Sequence, residues 1–200
     1  TTTQVANAPS PQINQVTHTD LTCFGSQNGT ISIASSGGTS TVLYSVDGGT
    51  QFQAGAVFSN LNAGSYQILI QDFNGCTATS SVVVTEPSAI AVTSVSTDAI
   101  CGNSYGTLTV NSTGGSGTLT YSIDSGVNFQ SGILFQNLLA GSYNLVVQDA
   151  NGCTSSAIAL VSNASAPVIN AAPVTNVSCN GYNDGSIVIQ ASGGLGILTY

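Results

Sequence analysis

The chain has 200 residues with no lysine or arginine, eight acidic residues and one histidine, so its formal net charge is −8 at pH 7. A chain without cationic side chains cannot neutralise phosphate groups, which excludes nucleic-acid binding and attraction to anionic membrane surfaces. Hydrophobic residues make up 42% of the sequence, too many for a disordered chain. No apolar run approaches the roughly 18 residues of a membrane span.

Short runs rich in Val, Ile, Thr and Tyr alternate with turns rich in Gly and Asn. Apolar residues at every second position are typical of strands with one face in a core. The first group of predicted strands covers 13–20, 29–36, 41–47, 51–59, 64–72 and 77–86. The second group covers 90–98, 106–112, 118–124, 128–136, 141–149 and 154–162. No segment has helical periodicity, so the sequence predicts an all-β protein made of antiparallel β-sandwiches.

The chain repeats itself with a period close to that of its cysteines. The segment LNAGSYQILIQDFNGC at 61–76 returns as LLAGSYNLVVQDANGC at 138–153, which is 77 residues later (153 − 76). Cys23, Cys101 and Cys179 follow one another at intervals of 78 residues (101 − 23 and 179 − 101). Such self-similarity indicates a tandem array. We predict a tail of a preceding repeat at 1–10, complete repeats at 11–88 and 89–165, and the truncated start of a third repeat at 166–200.

Two tyrosines, Tyr66 and Tyr143, follow the sequence Ala-Gly-Ser at the start of a predicted strand in each repeat. This pattern is typical of a tyrosine corner, in which the hydroxyl group binds the backbone of the preceding loop, so we assign both tyrosines a structural role. Other aromatic residues recur in phase and are predicted to lie in the core: Tyr44, Phe52, Phe58, Tyr121, Phe129 and Phe135.

The order of the motifs is similar to that of SprB-type repeats in large surface adhesins of gliding Bacteroidota. The shared elements are a cysteine, a Gly-Gly pair, Tyr-Ser-Val/Ile-Asp, Leu-x-Ala-Gly-Ser-Tyr and Gln-Asp-x-Asn-Gly-Cys-Thr. The resemblance covers 11–88, 89–165 and 166–200. It implies immunoglobulin-like repeats of about 78 residues in a long, secreted, cell-surface filament, exported by the type IX system and used in adhesion or gliding motility.

On this resemblance we expect a stalk that presents or forms an adhesive surface, with neighbouring repeats, polysaccharide or abiotic surfaces as partners. Two other functions stay open: the repeats themselves bind polysaccharide, or the chain forms a laterally associating fibre or sheath. We expect no enzyme. His18 is the only histidine, its counterpart in the next repeat is Ser96, and an array of copies is not expected to carry a catalytic site in one copy.

Cysteines at matching positions of each repeat indicate an oxidising, extracellular location. Two pairings compete. Pairing within a repeat joins Cys23 to Cys76 and Cys101 to Cys153, leaves Cys179 alone, and stabilises each repeat by about 4 kcal/mol.

Pairing between repeats instead joins Cys23 to Cys153. It is suggested because Cys23 and Cys76 are expected at opposite ends of a sandwich. An eight-residue strand spans roughly 26 Å, whereas the Cα atoms of a disulfide lie within about 7 Å. We favour pairing within the repeat, the usual arrangement in small secreted domains.

Acidic residues recur near the predicted turns. Asp72 with Asn74, and Asp149 with Asn151, are weak candidates for calcium ligands, since calcium requires six to eight oxygen atoms and this spacing supplies too few. We expect these residues to cap turns by binding their own backbone, and we expect no cofactor.

Four aromatic residues fall in predicted loops outside the core register. Aromatic faces among Asn and Gln side chains are suited to stacking on sugars, although loop aromatics more commonly cover the ends of a small core. These candidates for sugar contact are Phe24, Phe73, Tyr105 and Tyr182.

Overall fold

The computed structural model describes residues 9–100, 105–194 and 197–199, and these residues form strands and turns without a helix. No helix of the described residues is therefore long and apolar enough to cross a membrane. The chain divides into two compact units. The first contains Thr1–Ile90, Gly114–Thr118 and Asp149–Cys153; the second contains Ala91–Thr113, Leu119–Gln148 and Thr154–Tyr200.

Six strands of the first unit form two three-stranded sheets. The strands are β1 (Gln12–Thr19), β2 (Gly29–Ser36), β3 (Leu43–Ser45), β4 (Val57–Leu61), β5 (Gly64–Gln71) and β6 (Thr77–Val84). One sheet has the order β1-β2-β4 and the other the order β3-β5-β6. All neighbours are antiparallel. This is an immunoglobulin-like sandwich, as the sequence predicted.

Alternate residues of the two central strands build the core of this sandwich. Ile31 and Ile33 on β2 and Ile68 and Ile70 on β5 are buried, and Leu21 and Val84 pack with them. The residues between them on β2 and β5 are polar or only partly buried, which is the period-two pattern of the sequence. Burial of each large aliphatic side chain contributes about 1.5–3 kcal/mol.

The second unit repeats this arrangement. Its strands are β7 (Ala91–Thr97), β8 (Ala99–Ile100), β9 (Gly106–Thr113), β10 (Thr120–Ser122), β11 (Leu134–Leu138), β12 (Gly141–Gln148), β13 (Thr154–Val161) and β14 (Asn163–Ala164). The sheets have the orders β11-β9-β7 and β10-β12-β13, while β8 and β14 form a short parallel pair. Leu108, Val110, Leu145, Val147 and Val161 are fully buried.

Four shorter strands follow in the same unit. They are β15 (Val168–Ala171), β16 (Val174–Thr175), β17 (Ser186–Ile187) and β18 (Gln190–Ser192), and they form the antiparallel pairs β15-β18 and β16-β17. The tail of a preceding repeat that we predicted at 1–10 falls mostly on residues 1–8, which lie outside the described residues.

The predicted strands at 51–59 and 128–136 begin later than expected, at Val57 and Leu134. Gln53 and Gln130 instead form isolated bridges to Tyr44 and Tyr121. The Gln53 side chain donates to the carbonyl oxygens of Gly55 and Val57 at 2.7 and 2.9 Å, which folds this segment back on itself.

Two of the aromatic residues assigned to the core do not lie there. Phe52 and Phe129 remain 38% and 39% exposed, whereas Tyr121 is buried. The Phe52 ring lies 3.6 Å from the position of a β-carbon on Gly49, and Phe129 lies at the same distance from that of Gly126. Each ring therefore covers a glycine of the preceding turn.

Candidate functional site: the cysteine loops

The cysteine turns 72–76 and 149–153 each connect the last two strands of a sandwich around one aspartate. In the first turn, Oδ1 of Asp72 accepts hydrogen bonds from the backbone N–H groups of Asn74 and Cys76 at 3.0 and 2.9 Å. Oδ2 accepts a third from Thr39 at 2.9 Å. Gly75 has a φ of 82°, which a side chain would strain.

The second cysteine turn repeats these contacts. Oδ1 of Asp149 accepts from the N–H groups of Asn151 and Cys153, both at 2.9 Å, and Oδ2 accepts from Ser116 at 2.8 Å. The sequence therefore places each hairpin cysteine at the end of an aspartate-capped turn.

Backbone amides stabilise the charged form of both aspartates. For Asp72, the Thr39 N–H group contributes most to a pKa below the usual value, against the opposing effect of burial. Burial is the largest single influence on the pKa of Asp149 and raises it, but the N–H groups of Ser116, Cys153, Asn151 and Gly152 together outweigh burial, so that the pKa is lowered. The chain has no lysine or arginine, so backbone N–H groups take the place of a cationic partner for the carboxylate in both turns.

The strand-end loop, residues 20–28, lies between β1 and β2 and carries Cys23. Within it, Thr22 N–H donates to Oδ1 of Asn28 at 3.2 Å and Ser26 N–H donates to the carbonyl oxygen of Cys23 at 3.1 Å.

The segment after β6 holds this loop. Gly25 N–H donates to the Glu86 carboxylate at 2.7 Å, and Thr85 N–H donates to the Asp20 carboxylate at 2.7 Å. The Thr85 N–H group is also the main cause of a lowered pKa at Asp20.

A disulfide joins Cys23 to Cys153, across a sequence separation of 130 and with a Cα–Cα distance of 5.6 Å. Beside it, the side-chain amide of Asn151 donates to the carbonyl oxygen of Thr22 at 3.1 Å. All these residues belong to the first compact unit. The strand-end loop of one repeat and the cysteine turn of the next are therefore covalently linked.

The pairing within a repeat that we favoured is wrong. Cys76 is unpaired and exposed, as is Cys179, and Cys153 is not available to Cys101, which itself lies outside the described residues. The first sandwich explains this result. Phe73 N–H donates to the Thr39 carbonyl and Gly38 N–H donates to the Pro9 carbonyl, so the turn of Cys76 lies where β1 begins, whereas Cys23 follows the end of β1.

A second pair of aspartates organises the loops after β3 and β10. Oδ1 of Asp124 accepts from the hydroxyl group of Ser122 at 2.6 Å and from the N–H group of Asn128 at 2.9 Å. These groups, Asn128 first, lower the pKa of Asp124 to about 2. Asp47 has the equivalent contacts with Ser45 and Gln51, and the Gln51 N–H group is the largest cause of its lowered pKa.

The described residues contain no group of three or more His, Cys, Asp or Glu side chains placed to hold a metal ion. The calcium candidates Asp72 and Asp149 bind backbone N–H groups with both carboxylate oxygens, as turn caps do. His18 is exposed on β1, and its Nε2 lies 3.5 Å from Oδ1 of Asp20.

Both tyrosines at the start of the fifth strand of a sandwich bind the preceding loop. The Tyr66 hydroxyl group donates to the carbonyl oxygen of Asn62 at 2.9 Å, and that of Tyr143 donates to Leu139 at 2.8 Å. This is the geometry of a tyrosine corner.

The four loop aromatics are exposed by 60% (Phe24), 79% (Phe73), 64% (Tyr105) and 63% (Tyr182). Phe24 follows Cys23 and Phe73 belongs to the turn of Cys76, so these two lie at opposite ends of the first sandwich and do not form one surface.

Sequence reasoning missed the roles of Thr22 and Glu86. Thr22 acts through its backbone carbonyl group, which leaves no sequence signal. Glu86 has Asn163 at the equivalent position of the next repeat (86 + 77), so the periodicity did not single it out.

Solved structures of other proteins resemble the chain at low identity. One is the structure of Sidekick-1 immunoglobulin domains 1-5, with 12% identity and a TM-score of 0.41. The match covers 94% of this chain and 46% of that one. The protocadherin GammaB4 extracellular domain is 16% identical with a TM-score of 0.37, over 95% of this chain and 38% of that one. This chain spans less than half the length of either, and similarities this weak support no functional argument.

No curated protein matches the chain. The family model of the SprB repeat, however, matches residues 16–51 and residues 171–200. Residues 16–51 run from β1 through the strand-end loop, β2 and β3. Residues 171–200 are the corresponding part of the third repeat of the sequence. The chain is therefore similar to the SprB repeat in these two segments, which confirms the resemblance that its motifs predicted.

Proposed function

We propose that this chain is a structural segment of an extracellular, adhesin-type repeat array whose successive β-sandwiches are covalently linked. The observation that carries the proposal is the Cys23–Cys153 disulfide, because its two cysteines belong to different repeats of the sequence. Disulfides persist outside the cytoplasm. In this proposal the repeats are 11–88, 89–165 and the start of a third at 166–200.

The charge pattern also supports an extracellular stalk. A chain without lysine and arginine offers no site to trypsin-like proteases. Six of its eight acidic groups have a lowered pKa, and backbone or side-chain hydrogen bonds cause each decrease. These carboxylates act as parts of turns, which favours a non-catalytic protein without a cofactor.

Antibodies against the oxidised chain test the location. On intact cells of the organism that encodes the chain, we expect surface labelling, with a periplasmic protein as the control that stays unlabelled. Labelling only after permeabilisation would contradict the proposal.

A deletion of the encoding gene tests the adhesive role. We expect weaker attachment to glass and polysaccharide, and we infer from the SprB resemblance that colony spreading by gliding decreases as well. Normal attachment of the deletion strain would contradict the adhesive role, whether or not gliding changes.

A second candidate function is polysaccharide binding by the repeats themselves. It is supported by the exposure of the loop aromatics Phe24, Phe73, Tyr105 and Tyr182, since exposed aromatic faces stack on sugar rings.

Binding of the oxidised chain to a panel of polysaccharides tests this candidate. We expect saturable binding that Phe73→Ala and Tyr182→Ala weaken, while Val127→Ala, which alters an equally exposed apolar residue, leaves it unchanged. Equal effects of all three variants would argue against sugar stacking, and absence of binding would assign the repeats to the stalk.

A further inference from the structure

A pocket of about 200 Å³ lies in the first sandwich, beside the loop between β3 and β4. Pockets for larger, drug-sized ligands start at roughly 300 Å³, so this one suits a smaller group such as a single sugar ring. It combines aromatic rings, a carboxylate and two amide side chains, and most of its residues are exposed. The residues that line the pocket are Val46, Asp47, Gln51, Phe52, Gln53 and Phe58.

The Phe52 ring is held in place but remains accessible. Its Cζ atom lies 3.6 Å from the β-carbon position of Gly49, and the side chain is 38% exposed. The neighbouring residue Gln53 exchanges two backbone hydrogen bonds with Tyr44, at 2.8 and 2.9 Å. Since the backbone and the ring are both positioned before a ligand arrives, little conformational entropy is lost on binding.

Asp47 keeps one carboxylate oxygen available for a ligand. Its Oδ1 accepts hydrogen bonds from the Ser45 hydroxyl group at 2.7 Å and from the N–H groups of Thr50 and Gln51, both at 3.0 Å. All the hydrogen bonds that this carboxylate accepts from the described residues go to Oδ1. Oδ2 is therefore open, and a charged carboxylate oxygen accepts hydrogen bonds from hydroxyl groups.

The second sandwich has the same aspartate but occupies its Oδ2 atom. Asp124 corresponds to Asp47 (47 + 77) and Asn128 to Gln51 (51 + 77). The side-chain amide of Asn128 donates to Oδ2 of Asp124 at 2.6 Å. Among the described residues, the longer Gln51 side chain has no such contact with Asp47. One methylene group thus distinguishes an open carboxylate oxygen from an occupied one.

We propose that this pocket binds one ring of an uncharged saccharide. The C–H face of the sugar lies on Phe52, and one of its hydroxyl groups donates to Oδ2 of Asp47. A second hydroxyl group donates to the side-chain oxygen of Gln53, whose Nε2 group is already used by the carbonyl oxygens of Gly55 and Val57. The inference rests on the second candidate function, polysaccharide binding by the repeats, and assigns it to a site other than the four loop aromatics.

The charge and the rings of the pocket define the class of ligand. An anionic sugar would be repelled by Asp47, and the chain has no lysine or arginine to pair with it. A site for an ammonium ion typically surrounds the ion with several aromatic faces. Here Phe58, the second ring of the pocket, packs against the core instead. One exposed ring with hydrogen-bond acceptors beside it suits an uncharged sugar better than a cation.

NMR titration of the oxidised chain tests the site. The probes are the uncharged methyl glycosides of glucose, galactose, mannose and N-acetylglucosamine, with tetramethylammonium chloride as the rival ligand. With at least one glycoside we expect saturable shifts of the backbone amide signals of residues 46–53, a millimolar dissociation constant, and smaller shifts at 123–130. The absence of saturable shifts at 46–53 with every glycoside would overturn the proposal, as would tighter binding of tetramethylammonium at the same residues.

The Gln51→Asn variant tests the role of the open carboxylate oxygen. It copies the arrangement of Asn128 and Asp124, which the second sandwich accommodates, so that the shorter amide occupies Oδ2 of Asp47. We expect the dissociation constant of the glycoside to rise about tenfold, because a hydrogen bond to a charged group is lost. Gln15→Asn, at an exposed position of β1, is the matched control and leaves the constant unchanged. Equal affinities of the two variants contradict the proposal.

A pair of aromatic variants separates this pocket from the loop aromatics. We expect Phe52→Leu to abolish the shifts at 46–53, whereas Phe24→Leu, which alters an exposed loop aromatic, leaves them unchanged. Loss of binding with Phe24→Leu alone would overturn the pocket and leave the second candidate function in place. Absence of binding by any saccharide would remove both, but the covalent array would still stand, because the Cys23–Cys153 bond does not depend on a sugar.

Discussion

Gly106 lies so close to Val161 that a β-carbon at position 106 would stand 2.6 Å from Cγ1 of Val161. The same β-carbon would lie 2.9 Å from the carbonyl oxygen of Leu138. Gly29 begins β2 in the first sandwich as Gly106 begins β9 in the second, and its β-carbon would lie 2.9 Å from Cγ1 of Val84. Close packing, not an unusual φ, requires glycine at these two positions.

We therefore predict that Gly106→Ala lowers the free energy of unfolding by roughly 1–3 kcal/mol, because the added methyl group overpacks the core. Denaturant unfolding of the oxidised chain measures the change. Gly141→Ala is the matched control, since nothing lies within 4 Å of its β-carbon position. Similar losses for both variants would show that steric packing is not the cause.

Removal of the Cys23–Cys153 disulfide by Cys153→Ser should lower the free energy of unfolding by about 5 kcal/mol, because the bond restricts the unfolded chain. Reduction of the unaltered chain should have the same effect. Cys76→Ser is the control and should change little, as Cys76 is unpaired. Calorimetry with and without a reducing agent checks both statements, and a larger loss for Cys76→Ser than for Cys153→Ser would contradict the pairing.

Tyr143→Phe should lower the free energy of unfolding by about 0.5–1.5 kcal/mol, because it removes the hydrogen bond to Leu139. Tyr66→Phe should act similarly through the bond to Asn62. Tyr182→Phe removes an exposed hydroxyl group and serves as the control. Urea unfolding distinguishes them, and an equal loss for Tyr182→Phe would argue against the corner as the cause.

The loop of Asp124 should make stability depend on pH in the acid range. Hydrogen bonds from Asn128 and Ser122 lower the pKa of Asp124 from 3.8 to about 2 in the folded chain. A lowered pKa means that this stabilisation is complete above about pH 4 and is lost as the pH falls towards 2. Carboxyl NMR titration should give the low pKa directly. The Asp124→Asn variant should have a melting temperature that depends less on pH between about pH 4 and pH 2. A midpoint near 3.8 would contradict the hydrogen bonding.

The strands and the tyrosine corners were accessible to sequence reasoning because local rules govern them. A period of two places Ile68 and Ile70 on one face of β5, and Tyr66 binds a residue only four positions away. The cysteine pairing depends instead on which end of the sandwich each loop occupies, and the regular recurrence of the cysteines along the sequence does not show this. Phe52 and Phe129 recur in phase, which correctly indicates that they share a role but does not say that the role is in the core. Both rings instead cover a turn glycine outside the core.

The Cys23–Cys153 bond also determines how the chain carries a mechanical load. When the two termini are pulled apart, the covalent path runs from residue 23 through the two sulfur atoms to residue 153. The sequence separation of 130, at about 3.4 Å per extended residue, means that roughly 440 Å of polypeptide is withheld from extension. In the oxidised chain, the residues between Cys23 and Cys153, which are most of the first two repeats, carry no force. Reduction of the disulfide would let this segment extend under load.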